Sequence, residues 1–238
     1  YLAMEWVDGV DLSGLLDRMR VQRKELPLRH VLYIIKEVLQ GLHHAHTARD
    51  LDGSPLRIVH RDISPGNVLV SRQGGVKLAD FGVALGTVAE RAQRRGQLSG
   101  KLQYFAPELF SPPHESTVQS DLFALGVTLW ELLTTRPLFS RKASPVEMRA
   151  ILRAFDPEDL LRDELTLPEG LEDIIRRALA PRPPDRYPTA VEFLEDVNDH
   201  VYESGLRLLS TDFERWLERA LVGPEAAGRR SLLQPGGP

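Results

Sequence analysis

The chain has 238 residues, of which 42% are hydrophobic and 27% charged, the proportions of a globular protein able to bury one large core or two modest ones, which argues against disorder. A formal net charge of -4 and a pI of about 6.0 provide no general basic field for nucleic acid. With no cysteine, disulfides, thiolate metal sites and a cysteine nucleophile are excluded, in keeping with a reducing, cytoplasmic compartment.

At the start, "YLAMEWV" reads as a buried strand whose neighbours the chain does not supply upstream, so the chain is expected to be cut at its N-terminus. "DGVDLSGLLDRM" switches to helical spacing with Asp11 as N-cap. "LRHVLYIIKEVLQGLHHAHTA" is a long amphipathic helix with Val31, Ile34, Ile35, Val38, Leu39 and Leu42 on one face. A turn cluster, "RDLDGSP", leads into three short apolar runs expected as strands, "RIVH", "NVLV" and "GVKLAD", the last two joined as a hairpin across "SRQGG". From about Thr117 the pattern is helical, with "VQSDLFALGVTLWELLTT", "SPVEMRAILRAF", "LEDIIRRALA" and "TAVEFLEDVNDHVY" punctuated by proline-rich turns. "LRLLSTDFERWLERALVG" adds one more amphipathic helix before a loose tail rich in Gly and Pro. The longest apolar stretches are too short to span a bilayer and no signal segment opens the chain, so no membrane segment is expected.

The chemistry concentrates in "VHRDISPGNVLV", Val59 to Val70, where Asp62 and Asn67 share a loop that enters a strand, while "ADFG" puts Asp80 directly after another strand. Hard cations take oxygen ligands, so an Asp and an Asn converging from adjacent hairpin strands suit Mg²⁺ on phosphates, leaving the other Asp to accept a proton. Taken singly, Asp and Asn more often cap turns. "GVDLSG", Gly9 to Gly14, has the glycine spacing of a Walker loop, but Leu15 stands where its lysine belongs.

In that order, "HRDISPGN", "DFG" and "APE", followed by "SDLFALGVTLWELLTTRPLF" and "DRYPTA", resemble the catalytic loop, metal loop and activation-segment end of a eukaryotic-type (bacterial Hanks-type) Ser/Thr protein kinase, over roughly residues 1 to 203. The resemblance implies an α+β fold: a kinase large lobe, mainly helical, with short β-hairpins around the catalytic and metal loops and the small lobe largely absent. Residues 1–12 are then the end of the small lobe and the hinge, 13–203 the large lobe, and 204–238 an extension with one helix and a loose tail. The implied activity is transfer of the γ-phosphoryl of ATP, with Mg²⁺ or Mn²⁺, to a Ser or Thr hydroxyl of a protein substrate, with no nucleic acid partner. The Gly-rich loop and "VAIK"-type lysine of a complete kinase are not in this sequence, so the fragment alone is expected to be inactive. The alternative is a pseudokinase-like binding or scaffold module.

Position by position, the resemblance implies that Asp62 is the base for the substrate hydroxyl and that Asn67 and Asp80 are the metal ligands, while His60 packs in the core. Arg61 either pairs with a phosphorylated activation segment, at Thr87 or Ser99, or makes a local salt bridge. Glu108 and Arg186 form a buried ion pair, and Asp121 holds the backbone of the catalytic loop. At the hinge, Met4 is the gatekeeper, the Glu5 carbonyl and Val7 amide meet the adenine edge, Asp11 reaches the ribose, and Leu69 is the apolar floor. Ordinary core packing is the other reading of Met4 and Leu69. Arg91, Arg94 and Arg95 read as a solvated charge run and carry no site. Ser64 stands where the family usually has lysine and Lys101 where it usually has threonine. This reciprocal exchange implies that Lys101 supplies the charge that position 64 lacks and that Ser64 takes over the hydroxyl's role, unless Ser64 marks an inactive copy.

Overall fold

In the computed structural model, which describes residues 5–81, 101–162, 167 and 170–221, three short strands form one antiparallel sheet. They are β1 (Gly9–Asp11), β2 (Val68–Ser71) and β3 (Val76–Leu78), with β2 in the centre. The register pairs Asp11 with Leu69 and Val70 with Val76. Strand alternation sends Val68 and Val70 into the core and leaves Leu69 half-buried on the other face beside Asp11. The hairpin expected at "SRQGG" is present, closed by Ser71 N–H on Gly75 O at 2.8 Å, with Gly74 at φ 80°.

One expected strand is absent, and of the opening "YLAMEWV" only residues 5–7 are among the described residues. Residues 5–8 are irregular, and the strand begins at Gly9, where Arg72 N–H on Asp8 O and the edge of β2 capture the backbone. "RIVH" is the strand that is absent. Its first residue, Arg57, is left-handed at φ 47°, as is Arg61 just after the run at φ 68°, and the N–H groups of His60 and Arg61 donate to a side chain instead of to a neighbouring strand. Met4, Thr87, Ser99, Arg91, Arg94 and Arg95 lie outside the described residues.

The helices are α1 (Leu12–Gln22), α2 (Leu28–Thr47), α3 (Val118–Thr134), α4 (Pro145–Ala154), α5 (Pro157–Arg162), α6 (Leu171–Ala178), α7 (Ala190–Glu203) and α8 (Ser210–Leu221). Their starts follow the sequence: Asp11 accepts Gly14 N–H at 2.8 Å, and Thr117 and Ser144 form capping boxes with Ser120 and Glu147. Almost every residue of α3 is buried, as its "LFALGVTLWELL" run requires. At Gly126 an added Cβ would sit 3.0 Å from Ala178 Cβ, so glycine permits the close approach of α3 and α6. α2 packs on α3, α7 and β3. Among the described residues, no helix is long and apolar enough to cross a membrane.

The amphipathic helix expected near the C-terminus is α8, and its apolar face joins the main core through Phe213 and Leu217. The Phe213 ring lies 5.4 Å from His30 and 5.1 Å from Tyr33, and Trp216 lies 5.0 Å from His30. Tyr33 donates to Gly74 O at 3.0 Å, and a Cβ on Gly74 would meet Ser210 O at 2.7 Å, so α8 covers α2 and the β2–β3 turn together.

Burial under α8, with Arg29 adding to it, pushes the His30 imidazole down to about 4. The unfolded chain binds this proton near pH 6.5 and the folded chain only near pH 4, so the neutral ring's contribution is complete above about pH 6.5 and is lost as pH falls through that window. His60 and His200, also held low by burial, act in the same sense. Urea midpoints measured from pH 7 to pH 4 are expected to fall, with up to about 3 kcal/mol of the loss coming from His30 and a shallower fall in His30→Gln.

Candidate active site

The loop from His60 to Asn67 is built on Asp121, the fourth residue of α3. Its carboxylate, 2% exposed, accepts His60 N–H at 2.7 Å on one oxygen and Arg61 N–H at 2.8 Å on the other. His46 Nε2, near the end of α2, lies 3.0 Å from the first of these oxygens. These donors offset the cost of burying the charge and hold Arg61 in its left-handed conformation. His46 went unremarked in the sequence reading, and the signal for it was the histidine-rich end of α2, "HHAH".

His60 is fully buried and joins the two loops. Its Nε2–H donates to Ala79 O at 3.1 Å, its Nδ1 accepts Asp62 N–H at 3.4 Å, and its ring lies 4.5 Å from that of Phe81. Burial lowers its affinity for a second proton, and the hydrogen-bond pattern fixes the neutral tautomer. The packing expected for His60 is therefore present.

Beyond His60 the polar groups converge. Asn67 Nδ2 donates to the Asp62 main-chain oxygen at 2.6 Å and to its Oδ2 at 2.9 Å, and Lys101 Nζ donates to the same Oδ2 at 2.6 Å. The Asp62 side chain is 17% exposed and that of Lys101 40%. Ser64 is buried in extended backbone just before the 3-10 turn Pro65–Asn67, and no hydrogen bond joins its hydroxyl to Asp62 or Lys101. Ala79 N–H donates to Asn67 O at 2.9 Å, which brings Asp80, left-handed at φ 56° and exposed, next to Asn67.

With its amide nitrogen committed to Asp62, Asn67 keeps Oδ1 for a ligand, and Asp80 offers a carboxylate. This all-oxygen pair fits a hard divalent cation that completes its shell with phosphate and water. Among the described residues, no cluster of three His, Cys, Asp or Glu side chains could hold a metal by itself. Around the sheet, Asp11 and Leu69 lie side by side, with one Asp11 oxygen used as the α1 cap. Val7 is half-buried, and Glu5 is exposed with its side chain paired to Lys77.

Farther along, Glu108 and Arg186 form the expected pair, with two parallel contacts of 2.8 Å. The guanidinium also donates to Ala180 O, Pro181 O and Gln119 O, so its donors are all used, and it stacks over Phe123 at 4.7 Å. This clamp fixes the segment that follows Lys101.

A family description for the protein kinase domain matches residues 1–202. The chain belongs to the protein kinase family. The chain is 37% identical over 233 residues to the tyrosine-protein kinase MasK of Myxococcus xanthus, covering 93% of the chain and 36% of that protein. It is 30% identical to the serine/threonine-protein kinase PrkC of Bacillus subtilis, covering 83% of the chain and 28% of that protein. To the serine/threonine-protein kinase PknA of Mycobacterium tuberculosis it is 33% identical, covering 83% of the chain and 42% of that protein. The chain thus spans less than half the length of each of these relatives. Kinases of this family generally use ATP and Mg²⁺, and the Asn67–Asp80 oxygen pair is compatible with that use.

Because Asp121 is buried under donors whereas Asp62 is part-exposed, the two acids separate in stability. Asp121→Ala is expected to lower the free energy of unfolding by about 3 kcal/mol, and Asp62→Ala by less than about 1 kcal/mol, in urea denaturation followed by circular dichroism.

Proposed function

We propose that the chain is the large-lobe part of an ATP-dependent protein kinase that transfers the γ-phosphoryl of ATP to a serine or threonine hydroxyl of a protein. The observation that carries this reading is the convergence of Asn67 and Lys101 on one oxygen of Asp62. In this reading the acceptor oxygen attacks the γ-phosphorus, its proton passes to the Asp62 carboxylate, and the bond to the β-phosphate oxygen breaks to release ADP. Mg²⁺ held by Asn67 Oδ1 and Asp80 supplies charge neutralisation on the phosphates when bound. Asn67 orients Asp62 through its two bonds. Asp11 and Leu69, adjacent across β1 and β2, line the nucleotide side in this reading, and the family resemblance adds the Glu5 carbonyl, the Val7 amide and Met4, the last of these outside the described residues. ATP as co-substrate and a cysteine-free composition favour a cytoplasmic location, and the net charge of -4 gives no support to a nucleic acid partner.

Lys101 makes the contact with the catalytic acid that threonine makes in the family pattern, and it brings the charge that position 64 lacks. Its amine is part-exposed and therefore accessible to a phosphate as well as to Asp62. Ser64, with no bond to Asp62, contributes a small buried residue before the Pro65 turn. Two of the named relatives are serine/threonine kinases and one is a tyrosine kinase. Pro65 after Ser64 matches the serine/threonine pattern, which favours that acceptor.

A pseudokinase-like scaffold is the second reading, favoured by the same ion pair, because Oδ2 of Asp62 is already occupied by two donors. The parent protein decides between them when incubated with Mg-ATP and a generic basic protein. Transfer that Asp80→Ala abolishes, with phosphoserine or phosphothreonine as the product on acid hydrolysis, supports the enzyme. Nucleotide-independent partner binding without transfer supports the scaffold.

The role of Lys101 has its own comparison. Lys101→Ala is expected to cut turnover by about 100-fold, the scale of losing a charge in a preorganised site, while Lys142→Ala leaves it unchanged. Small, equal effects would remove Lys101 from the site.

A further inference from the structure

Glu131 is an acid inside the apolar run of α3, fully buried, and the mechanism above does not use it. Tyr104 O–H donates to its Oε2 at 3.1 Å, and the guanidinium groups of Arg20 and Arg141 approach the same oxygen at 3.6 and 3.7 Å. Two cations of the same chain therefore offset this acid from either side. Burial also holds its carboxyl above the usual range.

Outside this cluster lies an open cleft of about 430 Å³ between the ends of α1 and α3, lined by Arg20, Arg23, Lys24 and Arg136 against the single acid Glu25. Its shape is fixed by backbone. Both helices end in left-handed residues, Arg23 at φ 52° and Thr135 at φ 56°, and Arg20 Nε bridges the two ends by donating to Thr135 O at 2.7 Å. Cations at helix C-termini ordinarily serve the last carbonyls. Only Arg20 does so here. The side chains of Arg23, Lys24 and Arg136 are exposed and make no ion pair among the described residues. Like charges drawn into a concavity focus a positive field that suits an anionic ligand.

The cleft connects to the candidate active site. Lys101, bonded to Asp62, opens the 3-10 turn Leu102–Tyr104, and Tyr104 reaches Glu131, which faces Arg20. The cleft and the Lys101–Asp62 pair are thus joined by one chain of contacts through Tyr104 and Glu131.

We propose that this cleft docks an acidic stretch of the protein substrate, its Asp and Glu side chains meeting Arg23, Lys24 and Arg136. The word substrate rests on the kinase reading; the binding does not. The probe is a fluorescein-labelled peptide with Asp and Glu on both sides of one serine, titrated with the full chain and read by anisotropy, beside its Asn/Gln counterpart and a labelled single-stranded RNA. Expected are binding of the acidic peptide, weakening with salt, and none of the Asn/Gln peptide. The triple variant R23E/K24E/R136E should bind about ten-fold more weakly or worse, and R153E, which reverses an exposed charge on α4, should match the parent. Thermal melting checks that each variant is folded, and Lys24→Gln alone, expected to weaken binding detectably, keeps the test open should the triple variant unfold. Equal affinity for the two peptides, unchanged affinity in the folded variants, or tighter binding of RNA overturns the proposal. Absence of acidic-peptide binding in a protein that still transfers phosphate removes the cleft and leaves the kinase reading standing. Cleft-dependent binding in a parent protein that never transfers removes the kinase reading and upholds the docking site.

Discussion

The carboxylate of Asp121 is the point to which the rest of the site is referenced. It is buried at the start of α3, a helix enclosed on nearly all sides, so it cannot move without disturbing the core. Removing a carboxylate from water is costly, and here the N–H groups of His60 and Arg61, with His46 beside them and the positive end of α3, offset that cost. The loop from His60 to Asn67 is the partner in that arrangement. Its backbone supplies donors that a strand would otherwise have used, and in return its position is tied to the core. The placement of the His60 ring, the contact with Phe81 and the direction of Asp62 all follow from it.

A second polar clamp acts on the other side. Arg186 is saturated by Glu108 and three carbonyls, and it fixes the segment that carries Lys101 toward Asp62. Asp121 and Arg186, the centres of the two clamps, are buried, whereas Lys101 in the pair that they bring together is 40% exposed. Depth of the central charge separates the clamps from that pair. A buried charge stripped of its partners is expensive, while the Lys101–Asp62 contact is screened on the lysine side and can open and close at little cost.

Much of this was legible in the sequence, because helices announce themselves locally. The face of α2, the capping residues Asp11, Thr117 and Ser144, and the apolar run of α3 each contain their own evidence, and the starts of α1, α2, α3 and α4 fall within a residue of where their patterns put them. The strands were harder to read. "RIVH" has strand composition, but its hydrogen bonds go to a residue about sixty positions away, a fact that no local pattern holds. In the site, the motifs located Asp62, Asn67 and Asp80, but the motif did not reveal that Lys101 and Asn67 would share one oxygen of Asp62 while Ser64 would not. Glu131 carried a visible signal, a charge inside an apolar helix, whose meaning depended on Arg20 and Arg141 from distant segments.

The position of α8 bears on how the protein is made. Arg18 donates to Leu221 O, a bond between residues 203 apart in sequence, and the same helix covers His30, Tyr33 and the Gly74 turn. During synthesis the early helices and the sheet are complete long before their cover has left the ribosome. Until then, the apolar surfaces of α1 and α2 stay open to solvent and to other chains. Such long-range closure slows folding and lengthens the period in which aggregation competes with it. The emergence of α8 therefore sets the moment at which these surfaces cease to need protection.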